Sequence, residues 1–269
     1  MIKKIALIGM AVLLTFVGVG CDKKESAPEV VEETELIVFA AASMTETMEQ
    51  IKSLYESENE NLKVIYTFDS SGTLKTQIDE GADCDIFISA AQKQMNALDP
   101  EKGTVEGSSP IDSATRIDLL ENKVTLAVTE GNPKGISAFE EIGTDKIETI
   151  ALGNADVPVG QYSEELLKNL GIWDEIQPKI TFGSNVKEVT TWVSEAVVDC
   201  GIIYATDAYS AGLEVVAEAD DSMLENKVIY PAAILENSKN KDEAQKFLDF
   251  LQGEEASKIF ESVGFASVK

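Results

Sequence analysis

Short apolar runs alternate with polar turns and helical repeats along most of this chain. The run at residues 36–39 is followed by three alanines and Ser43. Apolar residues then recur at helical spacing, at Met44, Met48, Ile51 and Tyr55. A short apolar run is typical of a buried strand, and apolar positions three and four residues apart are typical of an amphipathic helix. The pattern predicts a strand that turns sharply into a helix at Ser43.

The same succession of strand, turn and helix returns along the chain. Further strands are predicted at residues 63–68, 85–89, 124–128, 147–151, 179–182, 201–204, 213–216 and 228–234. Residues 117–120 are expected to close a short helix. Strands that alternate with helices are typical of an α/β protein with mostly parallel sheets flanked by helices. The last two predicted helices, 239–251 and 254–263, are too few for a lobe of their own and are expected to return to the first one.

The order of these elements predicts two lobes joined by two crossings. Residues 35–117 and 218–269 are expected to form lobe I, and residues 118–217 to form lobe II. The roughly 235 residues that follow the N-terminal region are enough for two lobes with their own cores.

The N-terminal region has the pattern of an exported protein. Lys3 and Lys4 precede an apolar run, which predicts a signal peptide over residues 1–20. Cys21 follows small residues as in a lipoprotein cleavage box, and lipidation of Cys21 is expected; a plain secreted protein is the alternative. Residues 21–34 would then be the lipidated cysteine and a charged, flexible tether. We expect the protein on the outer face of the cell membrane, or in a periplasm.

Composition excludes several classes of protein. The formal net charge is −26, so the basic surface that nucleic acid requires is not expected. Screening still permits a small anion to bind where local dipoles favour it. The chain has no histidine, which removes the commonest general base and transition-metal ligand. Cys84 and Cys200 lie beside apolar runs and are expected to be free buried thiols, with a disulfide as the alternative.

Four turns stand just ahead of predicted helices: Ser43, residues 70–72, residues 158–160 and residues 184–186. In open α/β sheets, ligands bind beyond the carboxyl ends of the strands, where such turns lie. The first amides of a helix are unpaired donors at the positive end of its dipole, and they favour anions. Ser43 also has a structural alternative, since with Glu46 it matches a capping box. Two turns fall in each lobe, which predicts an anion-binding cleft rich in donors and poor in cations.

Six segments resemble the molybdate-binding proteins of ABC importers: residues 39–44, 70–74, 85–90, 157–162, 171–174 and 201–208. The resemblance covers nearly all of residues 35–269. It implies a two-lobed type II periplasmic-binding-protein fold and a monomer that captures molybdate or tungstate and delivers it to an ABC permease in the membrane. It also implies that the protein is not an enzyme, has no cofactor and has no site for a metal cation, because molybdenum is bound only as the oxyanion.

The resemblance also implies the ligand contacts. Ser43 and Ser71 would donate through their hydroxyl and amide groups, Val159 and Val186 through backbone amides, and Tyr204 through its phenol. Asp69 lies near Ser71 but is expected to face solvent. If Asp69 points inward instead, it supplies the acceptor that the proton of hydrogenphosphate needs.

Other functions are kept open. The first is a binding protein for another oxyanion, such as sulfate, thiosulfate or phosphate, or for a small carboxylate; Arg116, which would favour a carboxylate, lies outside the matching segments. The second is a hydrolase with Ser43 or Ser71 as the nucleophile, for which Lys75 would have to replace the missing histidine base. The third is an adhesive surface lipoprotein, which would leave the convergent helix N-termini unexplained.

Overall fold

The computed structural model of the protein describes residues 33–102, 110–220 and 222–268. The predicted signal peptide, Cys21 and nearly all of the predicted tether lie outside the described residues. The strands are β1 (Thr34–Ala41), β2 (Leu62–Asp69), β3 (Ile86–Ile88), β4 (Ile117–Asn122), β5 (Val124–Val128), β6 (Ile150–Gly153), β7 (Ile180–Gly183), β8 (Cys200–Tyr204), β9 (Glu214–Glu218), β10 (Val228–Ile234) and β11 (Ala266–Ser267).

The α-helices in these ranges are α1 (Thr45–Glu58), α2 (Ser71–Asp79), α3 (Gln92–Leu98), α4 (Pro158–Asn169), α5 (Trp173–Ile176), α6 (Val186–Ser194), α7 (Ala205–Ser210), α8 (Lys241–Leu251) and α9 (Glu254–Ser262). None of the helices in the described part of the chain combines the length and the apolar character needed to span a lipid bilayer.

The strands form two sheets. One has six strands in the order β11-β4-β10-β3-β1-β2, and the other has five in the order β7-β6-β8-β5-β9. Strands separated by helices pair in parallel, as β1 does with β2 and β3, and β6 with β7 and β8. Strands β4, β5, β9, β10 and β11 pair antiparallel with their neighbours, so both sheets are mixed. The predicted α/β architecture of two helix-flanked sheets is confirmed, but the prediction of mostly parallel sheets is wrong, because strands that are not joined by a helical crossover pair antiparallel.

The chain passes between the sheets twice. Lys123 separates β4 from β5, and the second passage leads from Glu218 at the end of β9 to Val228 at the start of β10. We call residues 33–122 and 228–268 the six-stranded lobe and residues 124–218 the five-stranded lobe. The boundary predicted between residues 117 and 118 falls at the start of β4, which lies in the six-stranded sheet.

The helix predicted at residues 117–120 is wrong, because these residues are the first part of β4. A short apolar run does not distinguish a strand from a buried helical turn. The strand forms because β10 and β11 both hydrogen-bond to it, and these partners come more than a hundred residues later in the chain.

The C-terminal helices return to the six-stranded lobe, as predicted. Tyr55 on α1 contacts Phe247 and Phe250 of α8, and both pairs of ring centroids are 4.9 Å apart. The predicted inner face of α1 is buried at Met48, Ile51 and Tyr55. These contacts hold the first helix, and therefore the turn ahead of it, against the sheet.

Cys84 and Cys200 are free and buried, which confirms the prediction of two thiols. Burial raises the pKa of the Cys200 thiol to about 12, so it is neutral at ordinary pH. Both cysteines therefore act as small apolar side chains.

Arg116 is a structural residue. Its guanidinium donates to Asp99 Oδ2 at 2.6 Å, to Asn96 Oδ1 at 2.6 Å and to Gln92 Oε1. The side chains of Arg116 and Asp99 are 12% and 1% exposed. Burial raises the pKa of the Asp99 carboxyl, but hydrogen bonds from Ser113 and Arg116 outweigh this and lower it overall. The guanidinium is thus committed to a buried carboxylate and is not available to a ligand.

Replacement of Arg116 by methionine should destabilise the protein by about 3 kcal/mol, because it leaves the buried Asp99 carboxylate without its partner. Chemical denaturation measures the loss. Lys63→Met is the control, since it breaks an ion pair with Glu33 whose side chains are about half exposed; its midpoint should hardly move. Equal losses in the two variants would contradict this account of Arg116.

Candidate functional site

A small cavity lies where the two lobes meet, with an empty volume of about 200 Å³. The six-stranded lobe contributes Ala41, Ala42, Ser43, Asp69, Ser70, Ser71 and Ala90, and the five-stranded lobe contributes Val157, Pro158, Val159, Val186 and Tyr204. The space open to the centre of a water-sized sphere is only about 10 Å³, whereas pockets for organic ligands have about 300–1,000 Å³. The structure brings all five residues of the predicted site to this cavity; their contact with a ligand stays a prediction.

Ser43 does not cap a helix. It lies in a 3-10 turn, Ala42–Met44, and α1 begins at Thr45 without a side-chain cap. The Ser43 hydroxyl instead lies 2.9 Å from the Tyr230 hydroxyl on β10. The capping box with Glu46 is therefore wrong, because the extra turn moves the start of the helix beyond Ser43.

Ser70 and Ser71 divide two roles between them. Ser70 is the N-cap of α2, and its side chain accepts a hydrogen bond from the Thr73 amide at 3.1 Å. Ser71 is the first residue of the helix, is fully buried, and accepts from the Ala90 amide at 2.9 Å through its hydroxyl oxygen. Since that bond occupies an acceptor position, the Ser71 hydroxyl is left with its proton to donate.

The two valines present backbone amides at the starts of helices. Val159 is the second residue of α4, and Val186 is the first residue of α6. Amides in the first turn have no partner inside the helix, and the helix dipole makes this end positive. Both side chains are buried, so the valines combine core packing with amides at the cavity.

Tyr204 is the last residue of β8 and is 1% exposed. Its hydroxyl donates to the Ala90 carbonyl oxygen, in the other lobe, over a long 3.3 Å. Burial raises the pKa of Tyr204 well above 10. The phenol therefore keeps its proton and is a neutral donor.

The lobes contact each other beside the cavity. The Gly72 amide donates to the Asp156 carbonyl oxygen at 3.1 Å, and Gln94 Nε2 donates to Gln161 Oε1 at 3.2 Å. A Cβ atom on Gly72 would lie 2.3 Å from the Asp156 carbonyl oxygen. Glycine at this position is therefore required for the close approach of the two lobes.

A charged cluster next to the cavity neutralises Lys187. The Lys187 ammonium lies 2.6 Å from Glu46 Oε2 in the other lobe and 3.1 Å from the buried Asp207 carboxylate. Burial lowers the pKa of Lys187, but Asp207 and Glu46 outweigh this and raise it overall. Burial also raises the pKa of Asp207 to about 6, against the opposing effect of Lys187. The ammonium is thus held by two carboxylates, and it is not among the residues that line the cavity.

Asp69 is half-buried and lines the cavity, so the expectation that it faces solvent is wrong. Its carboxylate oxygen Oδ1 accepts a hydrogen bond from the Ser70 amide at 2.7 Å. This bond holds the side chain close to the turn ahead of α2. An acceptor is therefore present next to the donors.

Chemistry other than anion binding has little support in the site. Lys75, the base that a serine hydrolase would need here, forms an ion pair with Asp79 at 2.5 Å on its own helix. Within residues 33–102, 110–220 and 222–268 no group of three or more cysteine, aspartate or glutamate side chains is placed to hold a metal ion.

Sequence reasoning missed the polar residues behind the cavity, Asn122, Thr206 and Tyr230. All three are buried and hydrogen-bonded to one another or to Ser43. Tyr230 lies in an apolar run and was expected only as part of a strand. A buried tyrosine hydroxyl usually has a hydrogen-bond partner, and the tyrosine within this apolar run is the one sequence signal for a polar contact at Tyr230.

The raised pKa of Asp207 predicts how stability depends on pH. Its folded-state value of about 6 lies above the ordinary 3.8, so the folded chain binds more protons than the unfolded chain between these values. As pH falls from about 7 to about 4.5, the wild type should gain free energy of unfolding relative to Asp207→Asn, by at most about 1.4 kcal/mol per pH unit.

Denaturation of both proteins at several pH values measures this difference. Asp83→Asn, at an exposed aspartate, is the matched control and should follow the wild type at every pH. Parallel stability curves for the wild type and Asp207→Asn would contradict the prediction.

Comparison with known proteins agrees with the two-lobed architecture. The chain is 33% identical over 272 residues to the molybdate-binding protein ModA of Haemophilus influenzae, covering 98% of this chain and 99% of that protein. It is 34% identical over 240 residues to ModA of Escherichia coli, covering 87% of this chain and 90% of that one. The solved periplasmic molybdate-binding protein of Azotobacter vinelandii has the same fold, with a TM-score of 0.75 at 20% identity over 87% of this chain and all of that chain.

Residues 36–266 match the family described as bacterial extracellular solute-binding protein. The match takes in both sheets and every residue that lines the cavity. This chain therefore belongs to the bacterial extracellular solute-binding proteins, a family of binding proteins and not of enzymes.

Proposed function

We propose that this protein captures molybdate, and also tungstate, in the cavity between its lobes and delivers the oxyanion to an ABC importer. The observation that carries the proposal is the donor set of the cavity. It combines the hydroxyls of Ser43, Ser71 and Tyr204 with the helix-start amides of Val159 and Val186, and it includes no cationic side chain. The names of the two ModA relatives support molybdate as the ligand.

The chemistry of the ligand fits these donors. Molybdate and tungstate carry no proton at neutral pH, so each of their oxygens accepts hydrogen bonds and none donates. Neutral hydroxyls and helix-start amides are fixed dipoles that replace the water around such an anion. No cofactor takes part, and molybdenum enters only as the oxyanion.

Closure of the lobes follows from the division of the donors. The six-stranded lobe supplies Ser43 and Ser71, and the five-stranded lobe supplies Val159, Val186 and Tyr204. An anion makes all of these hydrogen bonds only when the lobes are close, so it binds the closed state more tightly and shifts the population towards it. The lobes are joined at Lys123 and between β9 and β10, so closure would be a movement about these two connections.

The cellular setting follows from the N-terminal sequence. A signal peptide over residues 1–20 and a lipid on Cys21 would place the protein outside the cytoplasm, on the outer face of the membrane. There the monomer would present the closed, loaded form to a membrane permease. Mass spectrometry of the mature N-terminus tests the lipid.

Asp69 favours one alternative ligand, phosphate. Hydrogenphosphate needs an acceptor for its proton, and Asp69, a residue with a carboxylate, is among those that line the cavity. A site made only of donors would leave that proton unpaired and reject hydrogenphosphate. Sulfate and thiosulfate carry no such proton, so an acceptor does not distinguish them from molybdate. Selectivity against them depends on the size of the cavity.

Calorimetric titration of the mature protein with molybdate, tungstate, sulfate and phosphate tests the proposal. We expect tight one-to-one binding of molybdate and tungstate, with weak binding of sulfate and phosphate. Phosphate as the tightest ligand would replace the proposal by the alternative, and Asp69→Asn should then abolish that preference. Absence of binding by all four anions would overturn the oxyanion site.

Gly72→Ala should weaken molybdate binding at least about tenfold, because the added Cβ meets the Asp156 carbonyl and keeps the lobes apart. The clash lies between the lobes and not within either core, so the variant should still fold, and thermal unfolding checks this. Gly143→Ala is the matched control, since the nearest atom to its Cβ would be the end of the Glu175 side chain, at 3.3 Å, and Ile172 would be in ordinary contact at 3.5 Å. Unchanged affinity in Gly72→Ala would show that binding does not need this approach.

A further inference from the structure

Three buried polar side chains lie behind Ser43: Asn122, Thr206 and Tyr230. The Tyr230 hydroxyl is 2.9 Å from Ser43 Oγ. Asn122 Nδ2 donates to the Tyr230 hydroxyl at 3.2 Å and to Thr206 Oγ1 at 2.9 Å. None of the three is among the residues that line the cavity. The network is hydrogen-bonded to the cavity lining through Ser43.

The direction of these hydrogen bonds follows from the groups involved. Asn122 Oδ1 accepts from the Lys123 backbone amide at 2.8 Å, which fixes the side chain with its NH₂ group towards Tyr230. The Tyr230 oxygen therefore accepts from Asn122. The bond between the Tyr230 and Ser43 hydroxyls permits either group as its donor. With Tyr230 as the donor, Ser43 Oγ accepts and the Ser43 proton is left for the cavity.

We propose that Asn122 and Tyr230 are positioning residues that hold the Ser43 hydroxyl as a hydrogen-bond donor towards the bound oxyanion. The inference rests on the proposed function, since it needs an anion in the cavity. Each donor in such a chain polarises the next one, so Ser43 becomes a stronger donor. The Ala90 amide likewise donates to Ser71 Oγ, which leaves the Ser71 proton for the cavity. Both serines are thus oriented before the ligand arrives, which lowers the cost of ordering them on binding.

The surroundings of Tyr230 keep this arrangement fixed. Its ring makes edge-on contacts with Tyr204 and Phe265, with centroids 5.7 and 5.2 Å away. Burial raises the pKa of Tyr230 well above 10, so the phenol keeps its proton at ordinary pH. Removal of the hydroxyl alone leaves the ring contacts in place.

Tyr230→Phe should therefore weaken molybdate binding by about tenfold with the fold intact. Tyr66→Phe is the matched control, because it removes a buried tyrosine hydroxyl from the same sheet that has no hydrogen-bond partner in the described residues. Its affinity should stay within about twofold of the wild type. Calorimetry measures affinity, and thermal unfolding reports whether each variant is folded.

A double-mutant cycle separates positioning from packing. If Tyr230 acts through the Ser43 hydroxyl, Tyr230→Phe should have no further effect on affinity in a Ser43→Ala background. Equal losses in both backgrounds would overturn the inference, because Tyr230 would then act independently of Ser43. Should Tyr230→Phe fail to fold, Asn122→Ala replaces it. Its effect on affinity is then compared in the wild type and in the Ser43→Ala background.

The cycle also distinguishes this inference from the function on which it rests. Binding of molybdate by the wild type with unchanged affinity in Tyr230→Phe would overturn the positioning role alone. Absence of molybdate binding by the wild type would overturn the proposed function and the positioning role with it.

Discussion

A buried site for a doubly charged anion must replace the water that the anion leaves behind. Among the described residues that line the cavity none has a cationic side chain, so fixed neutral dipoles have to replace that water. Amides at the starts of α4 and α6 are such dipoles, and so are the hydroxyls of Ser43, Ser71 and Tyr204. The placement of helix starts at the carboxyl ends of strands, in both lobes, is the condition on which the rest of the site depends.

That condition also explains where the charged residues are. The guanidinium of Arg116 forms an ion pair with Asp99. The ammonium of Lys187 forms ion pairs with Glu46 and Asp207. A free cation in the cavity would attract any anion, including carboxylates, without regard to shape. Directional donors bind strongly only where an oxygen lies along the bond, so they favour an anion of one geometry.

Much of this arrangement is visible in the sequence, because the features involved are local. Short apolar runs, small polar turns and helical repeats predict the strand-turn-helix units and place Ser71, Val159 and Val186 at helix starts. The family resemblance then names the five cavity residues. What the sequence does not show depends on contacts between distant segments. β4 is a strand because of β10 and β11, and the Ser43 hydroxyl bonds to Tyr230, which is 187 residues away.

The errors at single residues have the same origin. Ser43 and Glu46 have the spacing of a capping box, but a 3-10 turn intervenes. Asp69 on an alternating strand was expected to face solvent, yet its strand ends at the cavity and the Ser70 amide holds the carboxylate there. Side-chain direction at the end of a strand depends on the turn that follows, and the turn is fixed by tertiary contacts.

The Ala90 peptide group links the two lobes at the cavity. Its amide binds the Ser71 hydroxyl in one lobe, and its carbonyl oxygen receives the proton of Tyr204 from the other over 3.3 Å. One peptide group therefore serves a buried hydroxyl from each lobe. A shift of the Ala90 peptide would change the orientation of a predicted ligand donor in both lobes at once, Ser71 in one and Tyr204 in the other.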